Sequence, residues 1–269
     1  MDLNTVTSVR SARSRADLGL RASESFLAGG SWVFSEPQLH LTGLVDLMSL
    51  DWPALTTTPT GLSIGATCTF AELAAMPAVS GWASTPLFAQ CCSALLGSFK
   101  VWNTATVGGN IALALPAGPM TSLASALDAV AVIWTADGGE KRMPVLDFVT
   151  GVQQTALNHG DLLRSIEVPE TSLAARSGFR KIALSALGRS GTVVIARLDA
   201  DGTFVVTVSG GTDRPVQRRF PGIPTAGELA AGIHSIDRWY DDAHGAPDWR
   251  EAMSALLAEQ LREELGAAA

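Results

Sequence analysis

Short apolar runs alternate with turn residues over the first 170 positions of the chain. Apolar runs of this length, bounded by glycine, aspartate or proline, are typical of buried strands. The run that begins at Leu62 continues into a helix, because Thr69 and Glu72 have the spacing of a capping box. The strand segments predicted in this way are 24–34, 43–50, 62–77 (strand, then helix), 129–134 and 161–170.

Helical spacing of apolar residues appears in three further places. It extends from Pro86 to Lys100, then after the glycine pair from Thr121 to about Leu127, and again over the amphipathic segment 248–266. In the second half, Asp201-Gly202 separates two valine-rich runs and predicts a β-hairpin. Strands and helices therefore mix along the chain, and the small polar stretch 171–178 predicts a boundary between domains 1–170 and 171–269.

The composition narrows the class of protein. Hydrophobic residues make up 47% and charged residues 17% of the 269 positions, which is typical of a well-buried globular protein. The net charge of −7 and the absence of dense Lys/Arg clusters argue against nucleic-acid binding. No apolar run reaches the ~18 to 20 residues of a membrane span, and the first residues do not resemble a secretory signal. With three cysteines and no CxxC spacing, we expect buried free thiols in the cytoplasm.

Several kinds of catalytic or metal site have little support. The four histidines are scattered without HxxxH or HxH spacing, so no metal site is predicted. "GRSG" (188–191) lacks the GxSxG spacing, and no Ser-His-Asp order is persuasive, which argues against a hydrolase of that type.

Two glycine pairs carry the functional signal. Gly29-Gly30 and Gly108-Gly109 each precede polar residues, and consecutive glycine amides can form a nest for phosphate oxygens. Each pair alone is also compatible with a simple tight turn. GxGxxG and GxxxxGK[ST] are both absent, so neither a Rossmann nor a P-loop site is indicated.

The order and spacing of four motifs resemble a known family. "FLAGGSW", "LSIGATCTFAELA", "WNTATVGGNIA" and "DLLRSIEVP" occur together over residues 26–170. In this they are similar to the FAD-binding domain of molybdenum hydroxylases, the medium flavoprotein subunit of the carbon monoxide dehydrogenase and xanthine dehydrogenase family. "FRKIALSALGRSG", "VSGGTDRPVQRRF" and the closing "DAHGAPDWREAMSALLAEQL" look like that family's C-terminal flavoprotein domain. The resemblance places His244 at a helix entry and so implies a structural role for it. The resemblance implies an FAD-binding domain of two α/β subdomains, followed by a smaller α+β domain.

The resemblance also implies the residues that hold FAD. The first loop and the "TVGGN" box would contact the pyrophosphate from opposite sides, and an apolar residue from "DLLRSIEVP" would pack near the flavin. A cation from "FRK" would reach back from the second domain, and the sequence does not decide between its two basic residues. The set implied is Leu27, Ala28, Gly29, Gly30, Ser31, Trp32, Val33, Thr106, Val107, Gly108, Gly109, Asn110, Leu163, and Arg180 or Lys181.

The chain departs from the family pattern at several positions. Trp32 stands where an acidic residue is common, and Leu113, Leu115 and Pro119 stand where the family usually has Asn, Ser and Asp. The Ser and Asp changes remove two polar groups that usually contact FAD. Nearby Thr121 and Ser122 are expected to be able to replace them.

The function implied by the resemblance is electron relay. A large molybdenum–pterin subunit would oxidise the substrate, a small [2Fe–2S] subunit would pass electrons on, and the FAD of this chain would deliver them to NAD⁺, oxygen or a quinone. With three cysteines, this chain has too few for the iron–sulfur clusters, so those cofactors are expected on partner chains. Two alternatives remain open: a stand-alone flavin oxidoreductase of related fold, and a scaffold whose flavin site has decayed.

Overall fold

A computed structural model of the chain describes residues 3–267. Within that range the strands are β1 (Ser8–Ser11), β2 (Glu24–Leu27), β3 (Gly43–Asp46), β4 (Leu55–Thr58), β5 (Gly61–Gly65), β6 (Val130–Trp134), β7 (Glu140–Pro144), β8 (Val149–Gly151), β9 (Gln154–Thr155), β10 (Leu162–Pro169), β11 (Arg176–Ile182), β12 (Thr192–Leu198), β13 (Phe204–Ser209) and β14 (Val216–Phe220). The α-helices are α1 (Phe70–Ala74), α2 (Pro86–Ser93), α3 (Phe99–Trp102), α4 (Val107–Leu113), α5 (Pro119–Ala126), α6 (Val145–Phe148), α7 (Glu170–Ala174), α8 (Ala226–His234) and α9 (Pro247–Ala267).

The first half of the chain contains a parallel and an antiparallel sheet. The parallel sheet has the order β1-β3-β2, and the antiparallel sheet has the order β4-β5-β10-β6-β7. A small apolar cluster joins the two sheets, in which Val45 and Leu47 pack with Leu162 at the start of β10. The arginine of β10, Arg164, lies 4.0 Å from the ring centre of Trp52, and a cation–π contact of this kind strengthens the junction.

The second half forms an antiparallel sheet of order β11-β12-β13-β14. Successive side chains of a strand point to opposite faces, and β12 shows this clearly. Val193 and Ile195 belong to the core of the first half, whereas Val194 and Ala196 belong to the core formed with α8 and α9. The sheet is therefore buried on both faces and joins the two halves of the chain.

Most of the predicted elements are present. The predicted hairpin is formed by β12 and β13, with Gly202 at φ +89° in the turn, and the Thr69–Glu72 capping box begins α1. The predicted helix 86–100 is instead two helices, α2 and α3, because a turn that contains Gly97 interrupts it. The polar stretch 171–178 is not a free linker, since α7 and β11 occupy it.

The second glycine pair also differs from expectation. Gly108 and Gly109 form the first turn of α4 rather than a loop, with Thr106 as the N-cap residue. No described helix, from residue 3 to residue 267, is long and apolar enough to cross a membrane.

Candidate functional site

A deep cavity lies where both sheets of the first half meet loops of the second. Its volume is about 730 Å³, within the range of small-molecule and cofactor sites. The walls come from the loop after β2, from α4 and the loop that follows it, from the start of β10, and from two loops of the second half. The lining residues used below are Leu27, Ala28, Gly29, Gly30, Ser31, Trp32, Val33, Ala66, Thr106, Gly108, Gly109, Asn110, Leu113, Leu115, Ala117, Asp161, Leu163, Arg189 and His244.

The loop after β2 offers a run of unused hydrogen-bond donors. The backbone N–H groups from Gly29 to Val33 donate to no other described residue. Five consecutive free amides on a cavity wall can bind an anion without any basic side chain. This loop therefore fits a phosphate or pyrophosphate group.

Gly29 has a packing role in this loop that the sequence did not reveal. A Cβ atom built on it would lie 1.5 Å from the carbonyl oxygen of Thr104, which is an impossible distance. The first loop and the segment before α4 therefore touch backbone to backbone. Gly29 brings the two walls together, so its own role does not depend on a ligand.

The start of α4 forms the wall next to this loop. The Thr106 hydroxyl accepts a hydrogen bond of 3.1 Å from the Gly109 N–H and so caps the helix. The Gly108 N–H donates to the carbonyl of Ala66, and a Cβ atom on Gly108 would collide with Ala66 at 2.4 Å. A Cβ atom on Gly109 would collide only with the Thr106 hydroxyl, at 2.8 Å, so a substitution there displaces a side chain and no neighbouring backbone.

Asn110 connects this wall to the next helix. Its side-chain oxygen accepts a hydrogen bond of 3.0 Å from the Met120 N–H in the first turn of α5. Its side-chain NH₂ group donates to none of the described residues, and Asn110 lines the cavity. An amide fixed at one end in this way can present a donor to a ligand at the other.

The positions that depart from the family pattern make the cavity more apolar. Leu113 and Leu115 line it, whereas Pro119 is buried in α5. The expected replacement of the missing polar groups does not occur, since neither Thr121 nor Ser122 lines the cavity. Both are buried, and the Ser122 hydroxyl is 2.6 Å from that of Ser209.

Three predicted site residues lie outside the cavity. Val107 is buried behind α4. Arg180 donates to the Glu264 carboxylate at 2.5 Å, and Lys181 is exposed on β11. Neither residue lines the cavity in this structure, so the expectation that one of these two cations reaches the flavin stays a prediction.

The basic residues on the cavity wall are Arg189 and His244. Arg189 follows the turn after β11, and His244 lies three residues before α9. Sequence analysis missed the first and assigned a structural role to the second. Both lie in segments that resemble the family's C-terminal domain, but nothing in those segments indicates a binding role, and only the fold shows that they share one cavity.

Asp161 is the acidic residue on the cavity wall. Its carboxylate accepts hydrogen bonds from the Ala136 N–H at 3.0 Å and from the Asn158 N–H at 2.9 Å, and a third comes from the Asn158 side chain. These donors hold the turn before β10 in place, next to cavity-lining Leu163. Leu163 itself precedes a β-bulge against β6, a feature often found beside binding sites.

Metal and thiol chemistry have no site in the described part of the chain. No group of three or more His, Cys, Asp or Glu side chains comes together between residues 3 and 267. The three cysteines are free and buried. Burial raises the pKa of the Cys68 and Cys92 thiols to about 12, so both are inert thiols at neutral pH.

The cavity fits a dinucleotide with an apolar ring system. Free amides and a capped helix start stand on one side, and the leucines of 113–115 and Leu163 supply apolar surface. The Asn110 side chain adds a further donor to the same wall. The donors suit the pyrophosphate of FAD, and the leucines suit the flat faces of its isoalloxazine ring.

Comparison with known proteins agrees with this chemistry. The glyceraldehyde dehydrogenase medium chain of Sulfolobus acidocaldarius is 29% identical to the chain over 136 residues. That alignment spans 51% of this chain and 45% of the relative, less than half of the relative's length.

Solved structures share the fold over nearly the whole chain. A chain of quinoline 2-oxidoreductase from Pseudomonas putida 86 matches with a TM-score of 0.82 and 20% identity, covering 98% of each chain. A chain of carbon monoxide dehydrogenase from Hydrogenophaga pseudoflava matches with a TM-score of 0.81 and 19% identity, covering 95% of this chain and 96% of that one. The mixed fold of parallel and antiparallel sheets is therefore that of these two chains.

Residues 7–171 match the family described as the FAD binding domain in molybdopterin dehydrogenase. That range contains the free-amide loop, α4 and β10, which form most of the cavity wall. The chain belongs to the FAD-binding domain family of molybdopterin dehydrogenases.

Proposed function

We propose that this chain is the FAD-binding medium subunit of a multi-subunit molybdenum hydroxylase. The observation that carries the proposal is the run of free amides from Gly29 to Val33 on a cavity of about 730 Å³. The family of the first half and the name "medium chain" of the Sulfolobus relative support it. Partners of this chain would be a large molybdopterin subunit and a small [2Fe–2S] subunit.

The chain's own part in the reaction is to bind and orient the cofactor. The chemistry that bound FAD would supply is to accept electrons from the iron–sulfur clusters and to donate them to NAD⁺, oxygen or a quinone. The free amides hold the pyrophosphate, and Asn110 offers a further donor. Leu113, Leu115 and Leu163 exclude water from the apolar part of the cavity.

One observation favours a second candidate, a flavin oxidoreductase that acts directly on its own substrate. Such an enzyme needs a proton donor beside the flavin, and the His244 side chain lines the cavity without a hydrogen-bonding partner among the described residues. An imidazole is a suitable general acid near neutral pH. Asp161 is less suited to that role, because three donors already hold its carboxylate.

The test is the visible absorbance spectrum of the protein purified from its native host under mild conditions. Flavin bands near ~450 nm with an iron–sulfur shoulder, and two co-eluting chains, are expected for the relay subunit. Flavin bands on a lone chain would favour the second candidate. A colourless protein that also fails to take up added FAD would overturn both and leave the scaffold.

A further inference from the structure

A buried arginine in the first turn of α9 joins three loops of the second half. Arg250 is 1% exposed, and its guanidinium donates to the carbonyl oxygens of Gly245 at 2.8 Å and Gly191 at 3.0 Å. It also donates to the carbonyl of Gly210 and pairs with the Asp242 carboxylate. The rigid fork of a guanidinium suits this use, because its donors point in fixed directions.

Two of these loops line the cavity, and the third contacts its wall. Gly191 comes two residues after Arg189, and Gly245 directly follows His244. The Gly210 N–H donates at 2.9 Å to the carbonyl of Pro116, in the segment after α4 that lines the cavity. The loops connected by Arg250 therefore carry both basic residues of the cavity wall and contact the wall formed by the first half.

The loops also pack against one another. A Cβ atom on Gly191 would lie 2.9 Å from the His244 carbonyl oxygen. The Asp242 carboxylate accepts from the His244 N–H at 2.8 Å as well as from Arg250. Without the guanidinium, three buried carbonyl groups would lose their donor, which is costly in a dry environment. Loss of the guanidinium should therefore let the three loops shift together.

We propose that Arg250 is a positioning residue for FAD: it holds the Arg189 and His244 loops as one wall of the cavity. The inference rests on the proposed function, since it concerns the same site. It assigns to the second half a role in cofactor binding that lies outside residues 7–171, the part of the chain matched by the FAD-binding family. Arg250 itself does not line the cavity.

Arg197 provides a matched control for the general effect of altering a buried arginine. It is 2% exposed, lies in β12, and also bonds to a carbonyl and two carboxylates. Its partners Ala126, Asp128 and Asp199 are absent from the cavity wall. Arg250→Lys and Arg197→Lys should therefore cost similar stability, while only the first disturbs the flavin site.

The experiment measures the FAD dissociation constant of the full chain by quenching of flavin fluorescence, and thermal unfolding alongside it. Arg250→Lys is expected to weaken FAD binding about tenfold, the low end for losing a residue that orients a binding group. Arg197→Lys should stay within about twofold of the wild type. Equal losses in the two variants would overturn the proposal. A wild-type chain that binds no FAD would instead overturn the proposed function.

A double-mutant cycle with Arg189→Gln tests whether Arg250 affects FAD binding by positioning the Arg189 loop or by a general loss of rigidity in the fold. If Arg250 acts through the Arg189 loop, the double variant should bind FAD no more than about twofold more weakly than the weaker-binding single variant. Fully additive losses would contradict the coupling. If Arg250→Lys does not fold, Asp242→Asn replaces it, because that change loosens the His244 loop and leaves the three carbonyl contacts intact.

Discussion

Gly29, Gly108 and Gly109 are alike in the sequence but have different surroundings in the fold. Side chains at the first two would collide with Thr104 and Ala66, whereas a side chain at Gly109 would meet only the Thr106 hydroxyl. The first two are therefore required by packing, a reason that concerns the folded chain rather than a ligand. Of the three, Gly109 is the one at which an added side chain displaces a hydroxyl rather than a neighbouring backbone segment, so a substitution there narrows the cavity without separating its walls.

Gly109→Val is expected to abolish FAD binding and to leave the fold intact, because the added methyl groups take up space beside the cavity. Gly227→Val is the matched control, since Gly227 lies in the first turn of α8 with nothing near its missing side chain. Both changes alter helix propensity by the same few tenths of a kcal/mol. Flavin content and circular dichroism of the two variants decide the matter, and full flavin occupancy in Gly109→Val would refute this assignment.

At the scale of elements, α4 depends on a single cap. The Thr106 hydroxyl accepts the Gly109 N–H, and it thereby fixes the turn that carries Gly109 and Asn110. Cap residues of this kind contribute about 1 kcal/mol to stability. At α4, however, the same hydrogen bond also sets the shape of a binding wall.

Thr106→Val and Thr225→Val should therefore have different effects on FAD binding. Each removes the hydroxyl cap of a helix, at α4 and α8, and each should lower the free energy of unfolding by about 1 kcal/mol in urea titrations. Only Thr106→Val should weaken FAD binding, because α8 does not reach the cavity. Unchanged FAD affinity in Thr106→Val would show that the start of α4 does not need its cap to bind FAD.

Most elements could be predicted from local patterns, since period-two and helical spacing, the Thr69–Glu72 box and the Asp201-Gly202 turn are properties of neighbouring residues. The break between α2 and α3 was missed because apolar spacing continues across Gly97 while the backbone turns there. The glycine pair in α4 was predicted as a loop, because a threonine that caps a helix looks in the sequence like any polar residue of a loop.

The site could be predicted only where its residues lie close together in the sequence. The first loop, α4 and Leu163 carry motifs, and the structure brings them to one cavity. Arg189 and His244 could not be found in this way, because they lie 55 residues apart and share no motif. Arg180 and Lys181 were predicted from resemblance, but the direction of a side chain on β11 depends on strand register.

At the scale of the whole molecule, an ion-pair network connects the two halves. Burial alone would raise the pKa of Asp128, but hydrogen bonds from Arg197 and Arg219 outweigh it and hold the pKa below the ordinary value of 3.8. Asp128 follows the end of α5, whereas Arg197 and Arg219 lie on β12 and β14. The ionised carboxylate thus contributes to the contact between the halves.

Because this pKa is lower in the folded than in the unfolded chain, the stabilisation is present above about pH 4 and is lost as the pH falls through the folded-state value. Asp128→Asn should lower stability at pH 7 and flatten the acid limb of the unfolding curve. Asparagine tolerates the left-handed backbone found at this position, where φ is +51°. Thermal unfolding between about pH 2 and pH 7 tests this, and parallel curves for wild type and variant would contradict it.

The cavity wall begins near Ser25 and ends at His244 along the chain. Ribosomes release a chain from its N-terminus onward, so the amide loop and α4 emerge long before the residues that face them. A nascent chain can expose a half-built, apolar groove during that interval. On the proposed function, insertion of FAD into a complete pocket has to follow synthesis of the segment that contains His244.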